Sequence, residues 1–169
     1  MGLINETVKL ESGYDTWKIM FEKEKKALNK IFNKDSFTIE HVGSTAVNGL
    51  MSKPIVDIAI GVNDLKDLKK YKDKLEKIYT IKENTNNHEI LLIKENEKET
   101  FALIHIMPIN SKRYQNMIKF RNILIKDQKI LKEYENLKIK LSKKYANNRK
   151  MYTKSKNEYI QDILKNNDQ

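Results

Sequence analysis

At 169 residues, with 39% hydrophobic and 33% charged side chains, the chain has enough apolar material for one full core. It is too short for a second large module, so a single domain over residues 1–169 is expected. The lack of cysteine excludes disulfides and thiolate metal sites. The opening MGLINETVKL lacks the charged start and long apolar run of a secretory leader, and no stretch approaches the ~18 apolar residues of a membrane span, so a cytoplasmic protein without a membrane partner is expected. The net charge of +10 is nearly all lysine, since Arg113, Arg121 and Arg149 are the only arginines; it reads mainly as a solvated surface, with a phosphate-attracting face as the alternative.

Tyr14–Phe32 places Trp17, Met20, Phe21, Leu28 and Phe32 at three- and four-residue spacing, which predicts a helix with one buried face; Asp15 and Thr16 suit its N-cap. Ser36–Val42 alternates as a strand and stops at the turn residue Gly43, after which a short helical stretch is expected. Pro54–Val62 reads as a β-branched strand interrupted by one charge, Asp57, with Pro54 suited to the first strand position. Asn63–Ile78 carries Leu65, Leu68, Tyr71, Leu75 and Ile78 at helical spacing. Strands follow at Tyr79–Lys82 and His88–Lys94, separated by the polar turn Glu83–Asn87, and at Glu99–Met107. Helices near Ser111–Lys126, Gln128–Ala146 and Tyr152–Leu164, with a break at Asn147 and Asn148, complete the chain. The fold class is therefore α/β (α+β): a mixed β-sheet of about five strands flanked by helices, with a helical C-terminal part.

The segment Glu40–Asp57, EHVGSTAVNGLMSKPIVD, carries the clearest chemical pattern. Gly43 lets backbone N–H groups approach a phosphate closely, and Ser44 and Thr45 add hydroxyls at the start of the next turn. Asp57 on the neighbouring strand is placed to hold Mg²⁺ between phosphates and an attacking oxygen, and Lys53 adds a point charge to the same anion. An unpaired carboxylate inside an apolar strand is costly, which favours a site role for Asp57 over a structural one.

Gly43-Ser44, twelve intervening residues and Asp57 resemble the signature of the nucleotidyltransferase superfamily, in which a Gly-Ser turn precedes a strand bearing Asp-x-Asp or Asp-x-Glu. The longer pattern is similar to the GrpB-like family, a branch assigned to that superfamily. The matching stretches are Tyr14-Asp15-x-Trp17 with Phe21 and Glu24, Ile39 to Thr45, Gly49-Leu50, Lys53 to Ile58, His105, Phe120-Arg121, Tyr134 with Leu137-Lys138, and Tyr152-Thr153 with Lys156 and Tyr159-Ile160. The resemblance implies a nucleotidyltransferase-like fold and metal-dependent transfer of a nucleotidyl or phosphoryl group from a nucleoside triphosphate, with Asp57, Ser44 and Lys53 catalytic and Asp57 the Mg²⁺ ligand. Its alternative is a non-catalytic domain that binds a nucleotide or phosphorylated small molecule; family members fused to an enzyme of coenzyme A synthesis make a phosphorylated cofactor one such ligand. RNA or DNA binding through the lysine-rich C-terminal helices is weaker, since those lysines alternate with core residues. The oligomeric state is not legible.

The sequence also departs from the superfamily pattern. A two-metal site wants two or three converging carboxylates, yet Ala59 stands at the second motif position and His105 where a third carboxylate is expected. Gly43, Ser44, Thr45, Lys53 and Arg121 form the expected phosphate-binding set. Glu40, His41, His105, Tyr152 and Lys156 are the expected pocket lining. Plainer roles stay open for each: a turn and helix cap for Gly43 to Thr45, core histidines at 41 and 105, an interhelical ion pair for Arg121, and helix packing for Tyr152 and Lys156. Trp17 and Phe21 read as core.

Overall fold

A computed structural model describes residues 2–33, 35, 37–84 and 88–167. The elements in order are β1 (Leu3–Ile4), α1 (Tyr14–Phe32), β2 (Thr38–Val42), a 3-10 turn (Ser44–Ala46), β3 (Val56–Val62), a 3-10 segment (Leu65–Tyr71) running into α2 (Lys72–Glu76), β4 (Thr80–Asn84), β5 (Glu89–Glu95), β6 (Glu99–Pro108), α3 (Lys112–Lys126), α4 (Gln128–Lys144) and α5 (Arg149–Asn166). The six-stranded sheet runs β2-β3-β6-β5-β4, with β1 added against the start of β6. Among the described residues only β3 and β6 pair in parallel; the other pairs are antiparallel, so the sheet is mixed as expected.

Strand alternation gives the sheet two unlike faces. On one, Ile39, Ile58, Ile60, Leu92, Ile104 and Ile106 pack under Trp17, Phe21 and Leu28 of α1 and under Leu68, Tyr71 and Leu75. On the other, Val42, Ala59 and Met107 meet Tyr114, Met117 and Ile118 of α3. A second apolar cluster ties the connector between β2 and β3 to the helical layer: Val47 and Leu50 pack with Phe120, Leu124, Leu131, Tyr134 and Leu164. That cluster holds the connector under the C-terminal helices, and so brings α4 and α5 over the start of β3.

The helix starts follow ordinary capping chemistry at three places: Ser111, Asp127 and Asn148 accept backbone N–H groups at the heads of α3, α4 and α5. At α1 the expectation fails. Gly13 is the N-cap, its carbonyl accepts the Trp17 N–H at 2.9 Å, and Asp15 lies inside the first turn. The segment expected as one helix over 63–78 is mostly 3-10, with Asp64 capping it through Lys66 N–H. Ser36 and residues 85–87 of the expected polar turn lie outside the described residues. Among the described residues no helix is long and apolar enough to cross a membrane.

Candidate functional site

The centre of the site is the closure of β2 onto β3. Val42 pairs with Asp57, and Gly43 follows with φ +71°, a conformation that disfavours any side chain. A Cβ placed on Gly43 would stand 2.8 Å from Asp57 Oδ2 and 3.1 Å from its Cβ. Glycine is therefore needed twice, for the backbone angle and for the carboxylate laid across it. Among the described residues the Ser44 hydroxyl has no protein hydrogen-bond partner, whereas Thr45 is buried and its Oγ1 lies 3.0 Å from His41 Nε2.

His105 shares the Asp57 face because β6 pairs in parallel with β3 and sets it beside Ala59. Its Nε2 is 3.4 Å from Asp57 Oδ1 and its Nδ1 is 2.5 Å from Glu89 Oε1. Arg113 Nε donates to the other Glu89 oxygen at 2.7 Å, which completes a charged chain Asp57–His105–Glu89–Arg113. Glu89 is 5% exposed and His105 13%, while Asp57 keeps 32% of its side-chain surface open although protein surrounds it. Burial disfavours a charge on His105, but the hydrogen bonds and charges of Asp57 and Glu89 outweigh it and push the imidazole up to about 9. Burial likewise opposes ionisation of Asp57; His105, with Lys53 and Lys156 acting through space, still holds its carboxyl below the ordinary range.

Three lysines cluster beside this carboxylate, and two of them, Lys53 and Lys156, act on it through space. Lys53 is fixed on one side by the Ser52–Glu11 backbone bridge, with both hydrogen bonds at 2.9 Å, and on the other by Pro54, which restricts the residue before it. The amines of Lys53 and Lys156 lie over the ring of Tyr152 at 5.4 and 4.7 Å from its centre, and Tyr152 is 1% exposed. Lys138, also 1% exposed, donates from Nζ to the Met51 carbonyl and lies over the Tyr134 ring at 5.2 Å. Burial first, then repulsion from Lys156, pushes both Lys53 and Lys138 down to about 7. Asp57 partly counteracts this at Lys53, and Glu135 at Lys138.

The structure thus brings together Gly43, Ser44, Lys53, Asp57, His105, Tyr152 and Lys156. Arg121 and Glu40 are engaged with each other nearby: Arg121 Nη1 donates to Glu40 Oε2 at 2.7 Å and to the His41 carbonyl at 2.8 Å, so this guanidinium clamps β2 to α3. His41 points to the opposite face, where it stacks on Phe21 with centroids 4.7 Å apart; burial first, then the Arg121 charge, lowers it to about 4. It steadies Thr45 as a neutral ring. A cavity of about 410 Å³, lined by Leu65, Leu68, Leu75, Ile81 and Ile90 among others, includes none of the site residues expected from the sequence, but Glu89 of the charged chain also lines it.

The sequence reading missed Glu89, Arg113 and Lys138. Glu89 and Arg113 enter only through the β5–β6 pairing and the start of α3, which no local pattern announces. Lys138 had a signal: Leu131, Tyr134, Lys138 and Leu141 form the buried stripe of α4, so a lysine stands where the period demands an apolar residue.

The sequence profile of the GrpB protein family matches residues 7–166. The chain belongs to the GrpB family. It is 31% identical to the glutamate-rich protein GrpB of Alkalihalophilus pseudofirmus over 97% of this chain and 98% of that one. A UPF0157 protein of Halalkalibacterium halodurans is 28% identical over 88% of this chain and 76% of its own length. Among solved structures, the crystal structure of conserved protein GrpB from Enterococcus faecalis superposes with a TM-score of 0.85 at 25% identity, covering 94% of this chain and 96% of that one. The GrpB family fold therefore covers nearly the whole chain.

The Mg²⁺ implied by the superfamily resemblance does not fit the donors in place. Among the described residues no group of three or more His, Asp or Glu side chains is arranged to hold a metal ion. Ala59 is fully buried against Val42, Met107 and Tyr114, and Glu89 is closed off by His105 and Arg113. Of Asp57, Glu89 and His105, Asp57 keeps the most side-chain surface open, at 32%.

Proposed function

We propose that this GrpB-family chain binds a nucleotide or another phosphorylated small molecule at the Gly43–Ser44 turn, on a scaffold of the nucleotidyltransferase kind. The observation that carries this is the convergence of Lys53 and Lys156 on Tyr152, with Lys138 close enough to be repelled by both, beside Asp57 and the free Ser44 hydroxyl. His105 and Arg113 already balance Asp57 and Glu89, and Glu135 offsets one amine, so positive charge is left over in a partly desolvated pocket. A phosphate group supplies the missing anion and accepts hydrogen bonds from Ser44 and the amines.

The test is thermal denaturation with nucleoside triphosphates, pyrophosphate and phosphorylated cofactors, each titrated to saturation. A saturable rise in midpoint that is lost in Lys156→Met supports the proposal. Absence of any rise across the whole set counts against it.

A second reading, transfer of the nucleotidyl group to an acceptor, draws support from Lys53. An amine brought down to about 7 is suited to accept a proton from an acceptor hydroxyl near neutral pH, with Ser44 and Lys156 holding the phosphates. Incubation with labelled nucleoside triphosphates and a metabolite extract tests it: label transfer no greater than that of Asp57→Asn sinks it.

A further inference from the structure

We infer that phosphate is met here by the amines of Lys53 and Lys156, with His105 occupied between the two carboxylates beside them, and that no divalent metal ion stands between ligand and protein. This rests on the phosphate-binding proposal above and goes beyond it by naming what meets the ligand's charge. The first support is the chemistry of His105. A neutral imidazole has one N–H and one lone pair, and ionised carboxylates only accept. With Asp57 Oδ1 at 3.4 Å from one nitrogen and Glu89 Oε1 at 2.5 Å from the other, both nitrogens face carboxylate oxygens and no ring lone pair is left for a metal ion. The ring fills the space between two carboxylates that a metal would have to fill.

The second support is that neither remaining route to a metal centre is open. The second oxygen of Glu89 is held by Arg113 at 2.7 Å, and the carboxylate is 5% exposed. A carboxylate at the Ala59 position would be buried among Val42, Met107 and Tyr114. Hard divalent ions need several oxygen ligands, and this pocket offers one partly open carboxylate.

The third support is the amine cluster. Lys53 and Lys156 flank one ring at 5.4 and 4.7 Å, close enough to repel each other, and Lys138 adds to that repulsion. An incoming cation meets the same repulsion. A polyanion relieves it, because each phosphate oxygen set between the amines turns repulsion into attraction. The ligand class is therefore a compound with adjacent phosphates, such as a nucleoside di- or triphosphate, taken up free of metal.

Isothermal titration calorimetry of the full chain with inorganic pyrophosphate and with ATP, in excess EDTA and then in excess MgCl₂, tests this. The expected result is binding in EDTA that Mg²⁺ leaves unchanged or weakens. Lys53→Met and Lys156→Met should each weaken it by about tenfold, the share of one charge-assisted hydrogen bond. Circular dichroism establishes that both variants are folded; Lys156 is only half buried on α5, so its replacement spares the core. Binding that appears only with Mg²⁺ and vanishes in Asp57→Asn overturns the metal-free inference and leaves the phosphate site standing. Lysine variants that bind in EDTA as tightly as the wild type overturn it too. No binding of either probe under either condition overturns the phosphate site itself, and the inference with it.

Discussion

The two faces of the central strands β3 and β6 have opposite characters. Ile58, Ile60, Ile104 and Ile106 are all fully buried under α1 and form one dry, apolar layer. One residue along in each strand, Asp57 and His105 face the other way and meet charged partners, beside the smaller apolar patch of Val42, Ala59 and Met107. The apolar face has no polar group to satisfy and contributes stability by burial alone. Beside the charged face the amines of Lys53, Lys138 and Lys156 repel one another, which costs stability, while the Asp57–His105–Glu89 pairing contributes some. Burial under α1 and its partners supplies free energy that offsets the repulsion among these amines.

The largest effect that would break this comparison is on the apolar face. Ile58→Ala should cost about 3–4 kcal/mol, as removal of fully buried methyl groups usually does, read as a fall in the urea midpoint. Phosphate binding by the folded fraction should be unchanged. A coupled loss of binding affinity would mean the faces are not separable.

On the charged face, pH separates His105 from the rest. Its folded value of about 9 lies above the unfolded 6.5, so its stabilising contribution is complete at pH 6.5 and below, and is lost as pH rises through 9. Lys53 and Lys138, lowered from 10.5 to about 7, act in the opposite sense and make stability rise with pH between those values. The informative quantity is therefore the difference between wild type and His105→Gln, in which the lysines largely cancel. That difference should be full near pH 6 and shrink by roughly 2–3 kcal/mol by pH 10. A constant difference across that range would show that His105 is not cationic in the folded protein.

Gly43→Ala should cost about 2 kcal/mol, from the positive φ and from the clash with Asp57, and should abolish phosphate-induced stabilisation. Ala at this position with intact binding would remove the Gly43–Asp57 contact from the site. The smallest effect has the reverse sign. Lys53→Met should raise the stability of the free protein by about 1 kcal/mol, because it removes a buried charge crowded by others, while weakening phosphate binding. A destabilised Lys53→Met would indicate that the amine cluster supports the fold.

Much of the fold was legible because its signals are local. The bounds of α1 follow from the spacing of Trp17, Phe21 and Leu28, and β3 from its β-branched run. The expected strands and helices past residue 78 agree with the structure to within a few residues. The two residues of β1 carry no period to detect, and they pair only because β6 begins at Glu99, before its pairing with β3 starts at Ala102. The 3-10 segment Leu65–Tyr71 read as an α-helix because Leu65, Leu68 and Tyr71 at three-residue spacing fit either form.

The site was legible in the same proportion. Gly43 and Asp57 meet through a single antiparallel closure, and a turn followed by a strand announces it. Glu89 reaches His105 only because β5 pairs with β6 in a register that sets Leu91 against His105, and register between distant strands leaves no trace in either segment alone. The fate of Arg121 was likewise a tertiary matter. Its partner Glu40 lies 81 residues away in the chain, so nothing near Arg121 marks it as a clamp.

The position of the aromatic residues gives each face its own optical probe. The chain's single tryptophan, Trp17, is buried in the α1 layer, so its fluorescence follows the melting of that layer and should be blind to events around Asp57. Tyr152, held between two ammonium groups, should change its near-ultraviolet absorption when an anion draws those charges away. Ligand occupancy and global unfolding can thus be followed at different wavelengths in one unlabelled sample.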